Sequence, residues 1–193
     1  DYINHRAGSE DRQALLNELV ELSAELSGGR HADDTTAALL HCRTARQITV
    51  LTGPPTRKSL DKQFVKRFME AEGLRAICGS TTAEIVSREL GRSVQYLQAS
   101  TSFSSPPEYR IEGIDLVTEG AVMLNQVYNI LGESPSQFTE NSVVERLCRT
   151  MQEADIVTFL AGGAVNDAHT ELVFRQIGVR PRLATLKLIS EKL

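Results

Sequence analysis

Apolar and polar positions change their spacing twice along the chain. Between Ser9 and Gly29 the residues Leu15, Leu16, Leu19, Val20, Leu22 and Leu26 recur at three- and four-residue steps, which predicts an amphipathic helix. Ser9 stands as its N-cap, Glu10 and Asp11 suit the positive end of its dipole, and Gly28 and Gly29 end it. TTAALLHCR at 35–43 reads as a short, mostly buried strand, and Thr44 to Arg46 as a weak linker. From Gln47 onward short apolar runs alternate with helical stretches. The strands are expected at QITVLTG (47–53), RAICG (75–79), SVQYLQ (93–98), IDLVTEG (114–120) and DIVTFLAGG (155–163). The helices between them are expected at 59–73, 80–91, 120–132 and 140–154. The polar, proline-containing stretch 99–113 reads as an exposed loop, and VRPRLATLKLISEKL at 179–193 as an extended strand. Strands separated by helices imply right-handed crossovers. The expected architecture over 47–193 is therefore α/β, a mainly parallel open sheet with helices on both faces, preceded by a separate helix-strand piece over 1–44.

Composition narrows the function classes. The chain has 193 residues, 41% of them hydrophobic, and a net charge of -4, values typical of a soluble globular protein. Its basic residues are scattered rather than clustered, so a nucleic-acid partner is not expected, whereas a small anionic ligand is compatible. No apolar run approaches the ~20 residues that span a bilayer, and the N-terminal stretch lacks a basic segment followed by an apolar one. No membrane association is expected. Cys42, Cys78 and Cys148 are odd in number, show no CxxC spacing and sit in apolar segments. They read as buried thiols of a cytoplasmic protein.

The run HADDTT places two neighbouring carboxylates, Asp33 and Asp34, between a glycine pair and an apolar stretch. Taken alone, such a pair is ordinary turn and capping chemistry. The whole pattern is more specific: a Leu- and Glu-rich helix, then GGRHADDTTAALL, resembles the last helix and strand of the stage II sporulation E-type phosphatases. These are a bacterial branch of the metal-dependent, type-two-C-like serine/threonine protein phosphatases. In that family the stretch takes the form GG-x-x-x-DD-x-T followed by an apolar strand, and Gly28, Gly29, Asp33, Asp34 and Thr36 stand at the matching positions. The resemblance implies that Asp33 and Asp34 are metal ligands, that the complete phosphatase binds Mn(II) or Mg(II), and that its substrate is a phosphoserine or phosphothreonine protein. Hard divalent cations take oxygen donors, and their charge cancels the repulsion between adjacent acids. The likeness covers only about the first 44 residues, and the aspartate-glycine motifs that supply the family's other ligands do not occur in this sequence. The chain is therefore expected to be the C-terminal portion of such a phosphatase, inactive by itself and not required to hold metal. Its Leu-rich helix is expected to pack on the α/β region or on a second copy, giving a homodimer.

Residues 47–193 resemble the accessory domain that follows the phosphatase in some members, through TVLTGPP, CGSTTAEIVSRELG and IDLVTEG. The resemblance brings no activity with it, so chemistry must be read from the residues. Four expected strands end in glycine, at Gly53, Gly79, Gly120 and the Gly162–Gly163 pair. In an open parallel sheet these ends line the ligand crevice, where glycine lets backbone N–H groups approach a ligand. CGSTTAE is the sharpest: Gly79 leads into Ser80, Thr81 and Thr82 at a helix N-terminus, an arrangement suited to phosphate or carboxylate. Simple N-capping by Ser or Thr explains the same residues. Arg57 and Lys58 follow Gly53 as candidate anion clamps or as solvated charge. AGGAVNDAH collects Asn166, Asp167 and His169, and Glu119 precedes Gly120; Glu119, Asp167 and His169 are the acid/base candidates, set against plain loop structure. Three functions follow, one of them a plain interaction module whose helices dock or dimerise. In the first, the α/β region senses a ligand or partner and regulates an attached phosphatase. In the alternative it is itself an enzyme or binding domain for phosphorylated sugars or nucleotides.

Overall fold

A computed structural model describes residues 12–29, 36–40, 42–98, 106–164 and 176–193. The chain divides into two compact units, Asp1–Thr44 and Ala45–Leu193. In the first unit the three- and four-residue spacing of leucines yields helix α1 (Arg12–Leu26). It ends where Gly28 and Gly29 adopt φ of 74° and 75° and turn their N–H groups back to the carbonyls of Glu25 and Ala24. Ser9, Asp33 and Asp34 lie outside the described residues. The strand expected at 35–43 does not form: residues 36–40, 42 and 43 have no regular structure, and Leu40 is 89% exposed. A strand needs a partner ladder for its backbone groups, and the first unit contains no strand among its described residues. Cys42, read as a buried thiol, is exposed for the same reason.

The second unit is an α/β fold with a mixed sheet flanked by helices. Its strands are β1 (Gln47–Thr52), β2 (Leu74–Cys78), β3 (Gln95–Gln98), β4 (Glu108–Arg110), β5 (Leu116–Thr118) and β6 (Ile156–Ala161). Its helices are α2 (Asp61–Met69), α3 (Ser80–Leu90), α4 (Ala121–Ile130), α5 (Val143–Glu153) and α6 (Arg182–Lys192), with a short 3-10 turn leading into α2. The strand order is β3-β4-β5-β2-β1-β6. β5, β2, β1 and β6 run parallel, with Cys78 opposite both Thr52 and Thr118 and with Ala161 opposite Thr52. β3 and β4 add an antiparallel flank.

Alternation along the strands feeds two cores. Ile48, Val50, Ala76 and Cys78 pack with Met123, Leu147, Met151 and Ile189 of α4, α5 and α6. The intervening Leu51 and Ile77 pack with Val65, Phe68 and Val86 of α2 and α3 on the other face. Each core residue named is at most 2% exposed, the burial that drives folding at about 25 cal/mol per Å² of apolar surface. Helix α5 shows how locally explicit the sequence is: Ser142 caps it, accepting from the Glu145 N–H, while the Glu145 carboxylate accepts from the Ser142 N–H.

Two expectations for this unit are corrected. The sheet expected to be mainly parallel keeps four parallel strands but is mixed, because the stretch read as irregular loop supplies β4, which pairs antiparallel with β5 and with β3. The C-terminal segment is helix α6, not a strand. Pro181 sets its start, and Thr185, Leu186 and Ile189 bury at helical spacing while Leu183 stays 55% exposed. In α4 the core-facing residues are Met123, Leu124 and Val127, and Val122 is exposed. No helix among the described residues is long and apolar enough to cross a membrane.

Candidate functional site

The four parallel strands end side by side at one edge, and the chain leaves that edge through glycines. At β1 and β6 the exits are packed against each other. Gly53 is buried at φ 70°, and Gly162 is buried with its N–H donating to the Thr52 carbonyl at 2.9 Å. A Cβ on Gly162 would sit 2.1 Å from the Pro54 carbonyl oxygen, so only glycine permits this approach. At β2 and β5 the exits are also neighbours but less tightly pressed: the Gly79 N–H donates to the Thr118 carbonyl at 2.8 Å, and a Cβ on Gly120 would lie 3.5 Å from the Gly79 Cα. Gly79 has φ 136°, a conformation that side-chain-bearing residues rarely adopt.

Gly79 is the N-cap of α3 and offers no side chain to cap it. The first-turn donors of that helix are therefore open to a ligand, with the positive end of the dipole behind them. Ser80 and Thr81 are exposed there. Thr82 is 1% exposed, and its Oγ1 has no hydrogen-bond partner among the described residues. That oxygen would be 3.1 Å from a Cβ built on Gly79, so it faces the Gly79 turn. Burying a hydroxyl unpaired costs about 1–3 kcal/mol, a cost that a bound acceptor at the turn would offset. The neighbouring strand ends are by contrast satisfied: Thr52 Oγ1 donates to the Cys78 carbonyl at 2.7 Å and Thr118 Oγ1 to the Pro107 carbonyl at 3.2 Å.

Glu119 is engaged by the antiparallel flank. Its carboxylate accepts from the Tyr109 hydroxyl of β4 at 2.8 Å. Burial and this acidic neighbour push the Tyr109 phenol up to about 12. The bond ties the β5 exit to the antiparallel flank, so the structure brings Glu119 to the glycine edge as a brace. Arg57 and Lys58 are exposed on the loop after β1. Asp167 and His169 lie outside the described residues, as do Asn166 and the metal-ligand candidates Asp33 and Asp34. Among the described residues no group of three or more His, Cys, Asp and Glu stands together to hold a metal ion.

The sequence reading missed the most heavily built part of this edge. Asn125 of α4, 4% exposed, donates through Nδ2 to the Arg180 carbonyl and accepts at Oδ1 from the Arg180 N–H, both at 3.0 Å. Thr185 Oγ1 donates to the Pro181 carbonyl at 3.2 Å. These bonds fix the start of α6, whose first residue, Arg182, lays its guanidinium against Gly53 and donates through Nη2 to the carbonyls of Gly162 and Ala164 at 2.6 and 2.8 Å. The available signal was Pro181 as a helix start. A groove of about 400 Å³ beside β6, lined by Met151, Val157, Phe159 and Lys192, is separate: none of the carboxyl-edge glycines lines it. Compared with the known protein families, with curated proteins and with solved structures, the chain matches none of them.

Proposed function

We propose that this chain is the C-terminal portion of a metal-dependent serine/threonine protein phosphatase of the stage II sporulation E type, whose α/β unit binds a small anionic ligand and regulates the catalytic part. The phosphatase half of the reading rests on Gly28, Gly29, Asp33, Asp34 and Thr36 at the family's spacing, directly after a helix that ends at the glycine pair. The ligand half rests on the turn at Gly79, where uncapped helix donors, two exposed hydroxyls and the buried, unpartnered Thr82 Oγ1 meet. That turn is the observation that carries the binding role. Two divalent cations, if held in such a phosphatase, would supply an acidified water and draw the phosphate's charge. This chain's contribution to them would be the carboxylate oxygens of Asp33 and Asp34, donors that suit hard cations. The enzyme alternative, with phosphorylated sugars or nucleotides processed at the glycine edge, is weakened by the commitment of Glu119 to Tyr109.

The test uses the protein in its complete form. Mn(II)-dependent hydrolysis of a phosphoserine peptide is expected to fall at least a hundredfold in the Asp33→Asn and Asp34→Asn variants, the scale on which loss of catalytic-site electrostatics is felt. Undiminished activity in both would remove the metal role and with it the phosphatase reading. The ligand half is tested separately by the dependence of that activity on added phosphorylated metabolites in wild type and in Thr82→Val.

A further inference from the structure

The order of the parallel strands marks a switch point between β1 and β6. From β1 the chain steps to β2 and β5 through α2 and α3 on one face, then returns through α4 and α5 on the other face to reach β6 on the far side of β1. In open α/β sheets the crevice for a ligand forms where the strand order reverses. Here that crevice holds Arg182.

Several features of Arg182 are hard to account for by structure alone. It is the first residue of α6, at the positive end of an 11-residue helix whose first turn contains no acid, where a cation is disfavoured by the dipole. Its guanidinium is half-buried and lies against the Cα of Gly53; a Cβ there would be 2.0 Å from its Cζ. Nη2 is occupied by the carbonyls of Gly162 and Ala164. Nε is buried with no acceptor, and no carboxylate pairs with the group among the described residues. Loss of solvent lowers its pKa from the ordinary arginine value. Burying a charge is costly, yet Asn125 and Thr185 hold the backbone that presents it.

We propose that Arg182 is the anchor for the oxyanion, phosphate or carboxylate, of a small ligand bound at the β1/β6 switch point, with the guanidinium donors left over from Gly162 and Ala164 as its hydrogen-bond partners. Planar guanidinium recognises such groups in a fixed geometry and keeps its charge when desolvated. This deepens the ligand-binding half of the reading above and rests on it, but uses different residues from the Gly79 turn. The two are therefore separable.

The experiment titrates the 193-residue chain with inorganic phosphate and, in a second arm, with citrate, following the Arg side-chain Nε–H resonances of ¹⁵N-arginine-labelled protein and fitting an apparent affinity. The Arg182 resonance, identified by its disappearance in Arg182→Lys, is expected to shift in a saturable manner. Arg182→Met is expected to weaken binding about tenfold or more, the scale of a lost charge-assisted hydrogen bond, while Thr82→Val leaves the Arg182 shift in place. The arm that saturates at lower concentration identifies phosphate or carboxylate as the preferred source. Binding that survives Arg182→Met but is lost in Thr82→Val overturns the Arg182 assignment and leaves the Gly79 site standing. A stationary Arg182 resonance in wild type in both arms overturns it too.

Discussion

Replacing Gly162 by alanine probes the packing of the glycine edge directly. The new Cβ would stand 2.1 Å from the Pro54 oxygen, 2.2 Å from the Pro54 carbon and 2.3 Å from the Gly53 oxygen, all backbone atoms. No rotamer relieves such a contact, so one strand exit must move by more than about 1 Å to restore van der Waals separation. The displaced segment carries the Gly162 N–H bond to Thr52 and the Ala164 N–H bond to Pro54, at 2.9 and 3.1 Å. Overpacking of this kind costs about 1–3 kcal/mol, and two weakened hydrogen bonds add about 1 kcal/mol each. The expected loss is thus about 4 kcal/mol. Gly91→Ala is the control: Gly91 ends α3 at φ 64° with nothing within 4 Å of the new Cβ, so only the left-handed backbone resists, at about 1–2 kcal/mol. In a unit of this size that separates a Tm fall of about 10 °C or more from one of about 4 °C. Urea unfolding followed by far-UV circular dichroism measures both. If the two variants lose equal stability with equal m-values, close approach of the β1 and β6 exits is not what requires glycine at 162, and the reasoning about this edge fails.

Phe68→Ala, removing a 0%-exposed ring from the α2–α3 core, is expected to cost about 3–5 kcal/mol in the same denaturation assay. Ser142→Ala, which breaks the reciprocal cap of α5, is expected to cost about 1 kcal/mol, with Ser142→Gly milder. Cys42 is exposed while Cys78 and Cys148 are buried, their thiols pushed up to about 12 and about 11 by burial, so a disulfide reagent is expected to titrate one thiol in the native protein and three after unfolding. The same shifts set a pH dependence. The folded state keeps protons that the unfolded chain releases near pH 9, so this stabilisation is complete below that pH and is lost as pH rises through the folded values; denaturation midpoints are expected to fall from about pH 9 upward and to be flat just below it.

Most of the second unit could be read from the chain because its elements obey one period each. The helix around Leu147 and Met151 and the strand around Val50 and Leu51 look the same locally and in the fold. The misreadings arise where a short segment satisfies two periods. In the C-terminal segment, Leu186 and Leu188 flank Lys187 as in a short alternating strand, but Pro181 starts a helix that buries Thr185, Leu186 and Ile189 together. β4 spans only three residues beside the Pro106–Pro107 pair, too short to carry a pattern, and it becomes a strand because β5 offers Val117 and Thr118 as a ladder. The 35–43 stretch fails in the opposite way: its apolar run is strand-like, but its described residues have no ladder to join. Among the site residues, glycines at strand ends announce themselves, because few other reasons place glycine there. Asn125 and Arg182 do not. An asparagine in a helix and an arginine at a helix start have no local mark, and their roles arise from contacts across 55 residues to Arg180 and 20 residues to Gly162.

The glycines that look equivalent in sequence divide into two kinds of work. Gly53 and Gly162 are buried, pressed against Arg182 and Pro54, and leave no room between them for a ligand backbone contact. Gly79 and Gly120 are half-buried, and beside them lies a helix start whose donors no side chain caps. The usual switch-point crevice between β1 and β6 is therefore already filled by a side chain of the protein. Any ligand there must be recognised through Arg182 rather than through glycine N–H groups, whereas one at β2 and β5 can reach the backbone itself. A single ligand spanning both would need an oxyanion at each end, and loss of Arg182 would then weaken it without releasing it from the Gly79 turn. A phosphorylated carboxylic acid that outcompetes inorganic phosphate and citrate alike, and that keeps measurable affinity in either Arg182→Met or Thr82→Val but not in the double variant, is the outcome that arrangement requires; equal affinity in the single and double variants would rule it out.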